Sequence, residues 1–179
     1  MTFNAPLLAD ASDWGQWGLG PRKDISDQVS VWPVQYRGRA AMVQLTPQAA
    51  PMRALSEPTK YEDKASPTLL LTGEGVGGLL ATLEQHLNGM LQAQGVNAQW
   101  RSAVLPPLMY EQAVRCKLRR AVVCKNASGE AWEPTLWRNQ LLVPIVSISA
   151  YATSNGTGLT LTIEAVKCMG EVQREFAFQ

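Results

Sequence analysis

The sequence predicts a mainly β protein of one domain with a single long α-helix, and three observations support this prediction. Apolar residues recur at spacings of three and four between residues 76 and 94. From residue 112 onward, apolar and polar residues instead alternate with a period of two. The chain has 179 residues, of which 46% are hydrophobic, and this is enough for one domain with a sizeable core.

The first third of the chain has a weaker pattern. Residues 1–28 combine glycine, aspartate and two tryptophans without a period, so we expect an irregular, loosely attached arm that Trp14 and Trp17 anchor. The segments VSVWPVQY and RAAMVQL then predict a hairpin with a basic tip at residues 37–39. Four prolines predict a long loop over residues 47–67.

The helix predicted near residues 76–94 has one apolar face, and Gly95 marks its end. His86, the only histidine, lies at the edge of this face, where we expect a structural role. Polar residues, Glu84 among them, are expected mostly on the other faces. Seven residues form the apolar face: Val76, Leu79, Leu80, Leu83, Leu87, Met90 and Leu91.

Long strands are predicted in the C-terminal part. VRCKLRRAVVCK at 114–125 is the first of them, and a loop with two tryptophans follows it. Residues 143–151 and 158–166 are predicted to pair as an antiparallel hairpin, because the Asn155-Gly156 pair between them is typical of tight turns. Alternation directs three apolar residues inward and three others outward: Val146, Ile148 and Ala150 against Ser147, Ser149 and Tyr151.

Basic residues are concentrated in this part of the chain, although the formal net charge of the protein is only +1. Residues 99–140 contain seven basic and three acidic residues. Arg115, Lys117 and Arg119 are spaced two apart, so they share one face of the predicted strand. Such a row of cations can meet successive phosphates, while a neighbouring aromatic ring can stack on an unpaired base.

The candidate nucleic-acid-binding residues are therefore these three cations and Tyr151, joined by four residues nearby, Trp132, Trp137, Lys125 and Arg138. A simpler interpretation also stays open. The basic row would then be a solvated strand face, the tyrosine a half-buried sheet residue, and the tryptophans would pack a loop onto the barrel.

Four segments, taken in order, resemble the single-stranded-DNA-binding proteins of tailed bacteriophages: KYEDKASPTLLL at 60–71, the helix, VRCKLRRAVVCK and, above all, VPIVSISAYATSNGTGLTLTIEAVKCMGE at 143–171. The resemblance covers roughly residues 60–171 and implies a five-stranded oligonucleotide-binding (OB) barrel with one inserted helix. We expect this barrel to occupy residues 29–171, followed by a short tail over 172–179. Family members commonly end in a long acidic tail that recruits replication proteins, whereas this chain ends in EVQREFAFQ.

The resemblance also implies a function. The protein would bind single-stranded DNA without strong sequence preference and protect it during phage DNA replication or recombination, in the cytoplasm of the host cell. Arg115, Lys117 and Arg119 would contact phosphates, and Tyr151 would stack on a base. Replication proteins and further copies of the chain are additional candidate partners.

An enzyme is the main alternative. Gly73, Gly75 and Gly78 satisfy the G-x-G-x-x-G pattern of dinucleotide-binding loops before a helix, and Arg101 could meet the 2′-phosphate of NADP. However, no acidic residue lies between Glu84 and Glu111 to bind a ribose, and the antiparallel pattern beyond residue 112 does not suit a doubly wound sheet. A β-rich structural protein of a virion is the third class.

Other chemistry has little support, so we expect no enzyme, no cofactor and no metal. The chain has a single histidine, no H-E-x-x-H or P-loop motif, and three cysteines without C-x-x-C spacing. These cysteines fit reduced thiols in a cytoplasm. The N-terminus does not have the pattern of a secretory signal, and the apolar runs are too short to span a membrane.

Overall fold

The structure, a computed structural model, describes residues 5–46, 50–59, 66–106 and 112–172. Two short 3-10 turns, Leu8–Ala11 and Trp14–Gln16, precede the first strand. The strands before the helix are β1 (Trp17–Leu19), β2 (Lys23–Ser26), β3 (Val29–Tyr36), β4 (Arg39–Ala40), β5 (Met42–Gln44), β6 (Met52–Ala54) and β7 (Thr68–Thr72). Helix α1 (Val76–Ala93) is followed by β8 (Trp100–Arg101), β9 (Val114–Asn126), β10 (Gln140–Thr153) and β11 (Gly156–Glu171).

Five of these strands close into a barrel. Strand β10 pairs antiparallel with β11, which pairs in parallel with β9. Strand β9 pairs antiparallel with β7, β7 with β6, and β6 returns to β10. Closure satisfies the backbone groups that an open sheet would leave at its edges. The predicted mainly β fold with a five-stranded barrel and one helix is thus confirmed.

The predicted closing hairpin is present and is longer than expected. Ser147 lies opposite Thr162 and Ala150 opposite Leu159, and pairing continues over the full length of β10 and β11. The residues expected inside, Val146, Ile148 and Ala150, are all buried. The register shifts at Glu164, which is one extra residue on β11 and therefore a β-bulge.

Helix α1 packs its apolar face on the barrel, as the period of its leucines predicts. Leu80, Leu83, Leu87 and Leu91 are buried, whereas Leu79 is only partly buried. The expectation for Glu84 was wrong, because this residue is also buried. His86 has a structural environment, with its Nε2 atom 3.2 Å from the carbonyl oxygen of Trp17.

The N-terminal arm is not loosely attached over its described part, residues 5–28. Leu8, Ala11 and Trp17 belong to the hydrophobic core, and the Trp17 indole donates a hydrogen bond of 2.6 Å to the carbonyl of Ala11. Strands β1 and β2 both pair with β3. Trp14 and Trp17 anchor the arm as expected, since Trp17 is buried and Trp14 packs against the core. The expectation of loose attachment was wrong, because an aperiodic segment can still supply core residues when tertiary contacts order it.

Two further predictions concern the region before the helix. The predicted hairpin with a basic tip is present only near its turn, where β3 pairs with β4 and where Arg37 and Gly38 have positive φ angles of 52° and 76°. The rest of the second segment forms β5, which pairs with β10 instead of β3. The predicted loop at 47–67 contains β6, because the sequence MRA buries Met52 and Ala54 while pairing with two strands. Residues 60–65 of the stretch compared with the phage proteins lie outside the described residues, as does the tail beyond 172.

Candidate nucleic-acid interface

The basic row of strand β9 lies on the outer surface of the barrel. Arg115, Lys117 and Arg119 are exposed, and they alternate with buried apolar residues such as Cys116 and Leu118. This is the parity that the spacing predicted. Across the sheet, Lys117 lies opposite Thr162 of β11, which lies opposite Ser147 of β10. The cations therefore adjoin a face of hydroxyl side chains.

Tyr151 lies on the same outer face and is half-buried. Its neighbours in the sheet are Gly158 of β11 and Val31 of β3. A Cβ atom at Gly158 would lie 2.7 Å from the Tyr151 Oη atom, so the tyrosine ring reaches across the glycine backbone. The missing side chain at this position makes room for the ring.

Arg115, Lys117 and Tyr151 line one surface depression of about 500 Å³. Two residues that the sequence did not indicate as nucleic-acid contacts line it as well, Arg101 and Ile25, and the Ile25 residue is 69% exposed. The hairpin of β2 and β3 forms one wall. We call the residues Arg101, Arg115, Lys117 and Tyr151 the basic groove.

Sheet pairing explains how Arg101 reaches the basic groove. Arg101 pairs in parallel with Gly158, which pairs with Tyr151, then Val31 and finally Lys23 of β2. A row across five strands thus has a cation at each end and an aromatic ring between them. Strand β8 has only two residues, too few for a periodic pattern to reveal.

A buried carboxylate holds the segment that carries Arg101. Glu84 of α1 accepts hydrogen bonds from Ser102 Oγ at 2.5 Å, the Ala103 backbone N–H at 3.0 Å and Trp100 Nε1 at 3.1 Å. Burial raises the pKa of Glu84 despite these donors. The Arg115 backbone N–H donates to the Ala103 carbonyl at 2.9 Å, so the same segment is also bound to β9.

Arg119 differs from the other two cations of the row. Its Nη1 atom forms an ion pair of 2.5 Å with Oε2 of Glu164. Glu164 is only 8% exposed, and its other oxygen accepts a 2.7 Å hydrogen bond from Ser147 Oγ. The hydrogen bond with Glu164 raises the pKa of the Arg119 guanidinium. The charge of Arg119 is therefore compensated within the protein.

Trp132 and Trp137 lie away from the basic groove. Their rings pack edge to face with centroids 6.4 Å apart, and they contact the core from the side of Val122 and Cys124. Both carboxylate oxygens of Glu57 accept a hydrogen bond from the backbone N–H of Trp137, and this bond holds the loop between β9 and β10 in place. These contacts agree with the simpler interpretation of the sequence, in which the two tryptophans pack a loop onto the barrel.

The last two candidate cations also lie apart from the basic groove. The Arg138 side chain is exposed, and its backbone N–H donates to Glu57 at 2.7 Å. Lys125 is exposed on the outer face of β9 but lines a different depression, together with Lys167. Of the eight predicted residues, Arg115, Lys117 and Tyr151 therefore lie together in the basic groove, and the other five do not line it.

The glycine loop connects β7 to α1, and Gly75 has a φ of +78° at the helix start. Because β7 pairs antiparallel with both neighbours in the barrel, the doubly wound parallel sheet of a dinucleotide site is not formed here. Within the described ranges, no group of three or more His, Cys, Asp or Glu residues could hold a metal ion. Burial raises the pKa of the Cys116 thiol to about 12, which makes it unreactive.

The part of the chain that the structure describes contains no helix with the length and apolarity needed to cross a membrane.

No protein-family model and no curated protein sequence matches this chain. Among solved structures, the fold is similar to that of the single-stranded DNA-binding protein from bacteriophage Enc34, solved as a C-terminal truncation. The TM-score is 0.54 with 8% sequence identity, over 87% of this chain and 97% of that one. This likeness confirms the predicted OB-like fold with one helix and an N-terminal extension.

Proposed function

We propose that this protein binds single-stranded DNA, without strong sequence preference, in the basic groove. The observation that carries the proposal is that three cations and a half-buried aromatic ring line one depression on the outer face of an OB-like barrel. Single-strand-binding barrels combine these two features, because cations track the phosphate backbone while aromatic rings stack on successive bases.

The chemistry of the groove favours binding that is tolerant of sequence. Arg101, Arg115 and Lys117 supply positive charge, which every phosphate attracts equally. Tyr151 supplies a ring face, and all four bases have a face on which it can stack. The apolar residues Ile25 and Val31 also line the depression and add contact surface without hydrogen-bonding groups that would select a base.

The structural neighbour supports the same proposal, because its name describes a phage protein that binds single-stranded DNA. We infer a corresponding role for this chain, namely protection of single strands during phage DNA replication or recombination in the host cytoplasm. In this role the protein binds DNA and catalyses no reaction. Replication proteins and further copies of the chain are its proposed protein partners.

The decisive experiment is a binding titration by fluorescence anisotropy. Labelled oligo(dT), a matched duplex and NADPH as a competitor distinguish a single-strand binder from a nonspecific polyanion binder and from a dinucleotide enzyme. We expect oligo(dT) to bind more tightly than the duplex and NADPH to have no effect. Tighter duplex binding, displacement by NADPH, or the absence of any DNA binding, as for a virion structural protein, would each reject the proposal.

A matched pair of variants tests the location of the site. Arg115→Ala/Lys117→Ala removes two charges from the basic groove. Arg37→Ala/Arg39→Ala removes two charges from the tip of the β3–β4 hairpin, which does not line the depression. We expect the first variant to weaken oligo(dT) binding and the second to leave it nearly unchanged. Equal losses would mean that general attraction, and not this groove, binds the DNA.

A further inference from the structure

A second depression, of about 520 Å³, lies on the outer face of β9, β10 and β11, toward the other end of the barrel. Val123 of β9, Ala165 of β11 and Ile145 of β10 are direct neighbours across the sheet. The next row contains Lys125 of β9 and Lys167 of β11. We call Val123, Ile145, Met169, Lys125 and Lys167 the distal patch.

The distal patch places two lysines next to each other. They are direct partners on parallel neighbouring strands, whose backbones lie about 4.8 Å apart. Like charges placed side by side on a sheet repel each other. Within the part of the chain that the structure describes, neither lysine forms a salt bridge or a side-chain hydrogen bond. An anion bound between them would remove this repulsion.

The rest of the distal patch is apolar and accessible. Val123 is 38% exposed and Met169 is 44% exposed, so they are two of the few large apolar residues at the surface of the described residues. Ile145 and Ala165 lie between them in the same depression. An apolar surface beside paired cations suits a chain with alternating charged and flat apolar groups, which is the chemistry of an unpaired nucleic-acid strand.

The distal patch is continuous with the basic groove. Tyr151 and Val143, the β10 residues in the two end rows, lie eight positions apart, which corresponds to about 27 Å along the strand. Between them the outer face carries hydroxyl groups, Ser149 and Thr162 among them, which can donate hydrogen bonds to phosphates. The acidic residue on this stretch, Glu164, is ion-paired with Arg119.

We propose that the distal patch is the second end of the DNA path, so that one strand runs along β9, β10 and β11 from Tyr151 to the Lys125/Lys167 pair. This inference rests on the proposed function of the basic groove and extends it. The occupant is single-stranded DNA, because the patch shares strands and sheet face with the groove. An acidic peptide segment is the competing occupant, and the experiment separates the two.

The test compares oligo(dT) of about 4 and about 16 nucleotides, the usual limits of the site size per OB barrel. In Lys125→Ala/Lys167→Ala, we expect the slope of log affinity against log salt for the long strand to fall by about 1.4, at about 0.7 per phosphate contact. The slope for the short strand, which the basic groove alone can hold, stays unchanged. Lys125→Arg/Lys167→Arg keeps both charges and the full slope.

Equal losses for both strand lengths would overturn the proposal, since the lysines would then act by general attraction. Unchanged binding of both strands would also overturn it, and binding of a glutamate-rich apolar peptide that the alanine variant abolishes would assign the patch to a protein partner. If the unmodified protein binds neither strand, the proposed function itself fails. Because both lysines are exposed and repel each other, the alanine variant should unfold at a temperature no lower than that of the unmodified protein, and this serves as the control for folding.

Discussion

The ion pair between Arg119 and Glu164 predicts that the salt dependence of DNA binding responds to an acidic residue that itself contacts no phosphate. Arg115, Lys117 and Arg119 would together contribute a slope of about 2.1 if each neutralised one phosphate, at about 0.7 per contact. In the structure, however, Arg119 is already neutralised by Glu164 at 2.5 Å. We therefore expect Arg115 and Lys117 to contribute about 1.4 and Arg119 much less than 0.7.

The perturbation is Glu164→Gln, which removes the negative charge and keeps the shape of the side chain. The amide oxygen can still accept the hydrogen bond from Ser147 Oγ, so the outer face stays ordered. Arg119 is then free to meet a phosphate, because its side chain is 63% exposed. We expect the slope for oligo(dT) to rise by as much as about 0.7.

The assay is anisotropy of labelled oligo(dT) at four or more salt concentrations, arranged as a double-mutant cycle. Arg119→Ala should change the slope little when Glu164 is present and by about 0.7 in the Glu164→Gln background. Glu74→Gln, which alters the net charge equally at an exposed position off the groove, is the control. The reasoning is refuted if Arg119→Ala lowers the slope by a full contact with Glu164 intact, or if both glutamate variants behave alike.

Three further outcomes are expected. Tyr151→Ala weakens oligo(dT) binding by about 5-fold to 150-fold, because stacking on an aromatic ring contributes about 1–3 kcal/mol. Tyr151→Phe keeps the ring and binds nearly normally. If the tyrosine hydroxyl instead formed the important contact, the Phe variant would lose as much affinity as the Ala variant. Gly158→Ala lowers both oligo(dT) affinity and melting temperature, since its Cβ would lie 2.6 Å from the Arg101 carbonyl oxygen and 2.7 Å from the Tyr151 Oη atom. Unchanged values of both would contradict the close packing of Arg101 and Tyr151 around this glycine. The raised pKa of Glu84 means that protonation of this residue favours the folded state, so the unmodified protein loses stability relative to Glu84→Gln as pH rises through that pKa. Urea unfolding of both proteins between about pH 4 and pH 7 should show this trend. A difference in unfolding free energy that stays constant with pH would count against it.

The parts of the fold that follow a regular period were predictable from sequence. Alternation defined β9, β10 and β11 because one face of each is buried over many residues, and the spacing of the leucines defined α1 for the same reason. Short elements were not predictable. Strands β6 and β8 exist because neighbouring strands and the Glu84 carboxylate hold them, and such contacts join residues far apart in the chain.

In the candidate site, too, local features were predictable from sequence and long-range contacts were not. Parity within one strand correctly placed Arg115 and Lys117 outside, because side-chain direction is a local property of a strand. The charge that each cation experiences is not local. Arg119 meets Glu164, which is 45 residues away in sequence, so counting cations along one strand overestimated the free charge. Arg101 was missed for the converse reason, since only the parallel pairing of β8 with β11 brings it beside Tyr151.

The β-bulge at Glu164 explains why the distal patch could not be predicted from strict alternation. Alternation from Leu159 would direct Ala165 and Lys167 inward, yet Lys167 is exposed while Val166 and Cys168 are buried. One extra residue reverses the side-chain direction of every residue that follows it. The signal is present in the sequence, because polar residues at positions 160, 162 and 164 are followed by the next at 167, a spacing of three instead of two. The bulge therefore lies where Glu164 compensates the charge of Arg119, and it turns Lys167 outward beside Lys125, so one cation of the expected row is paired and another is added at the far end of the proposed path.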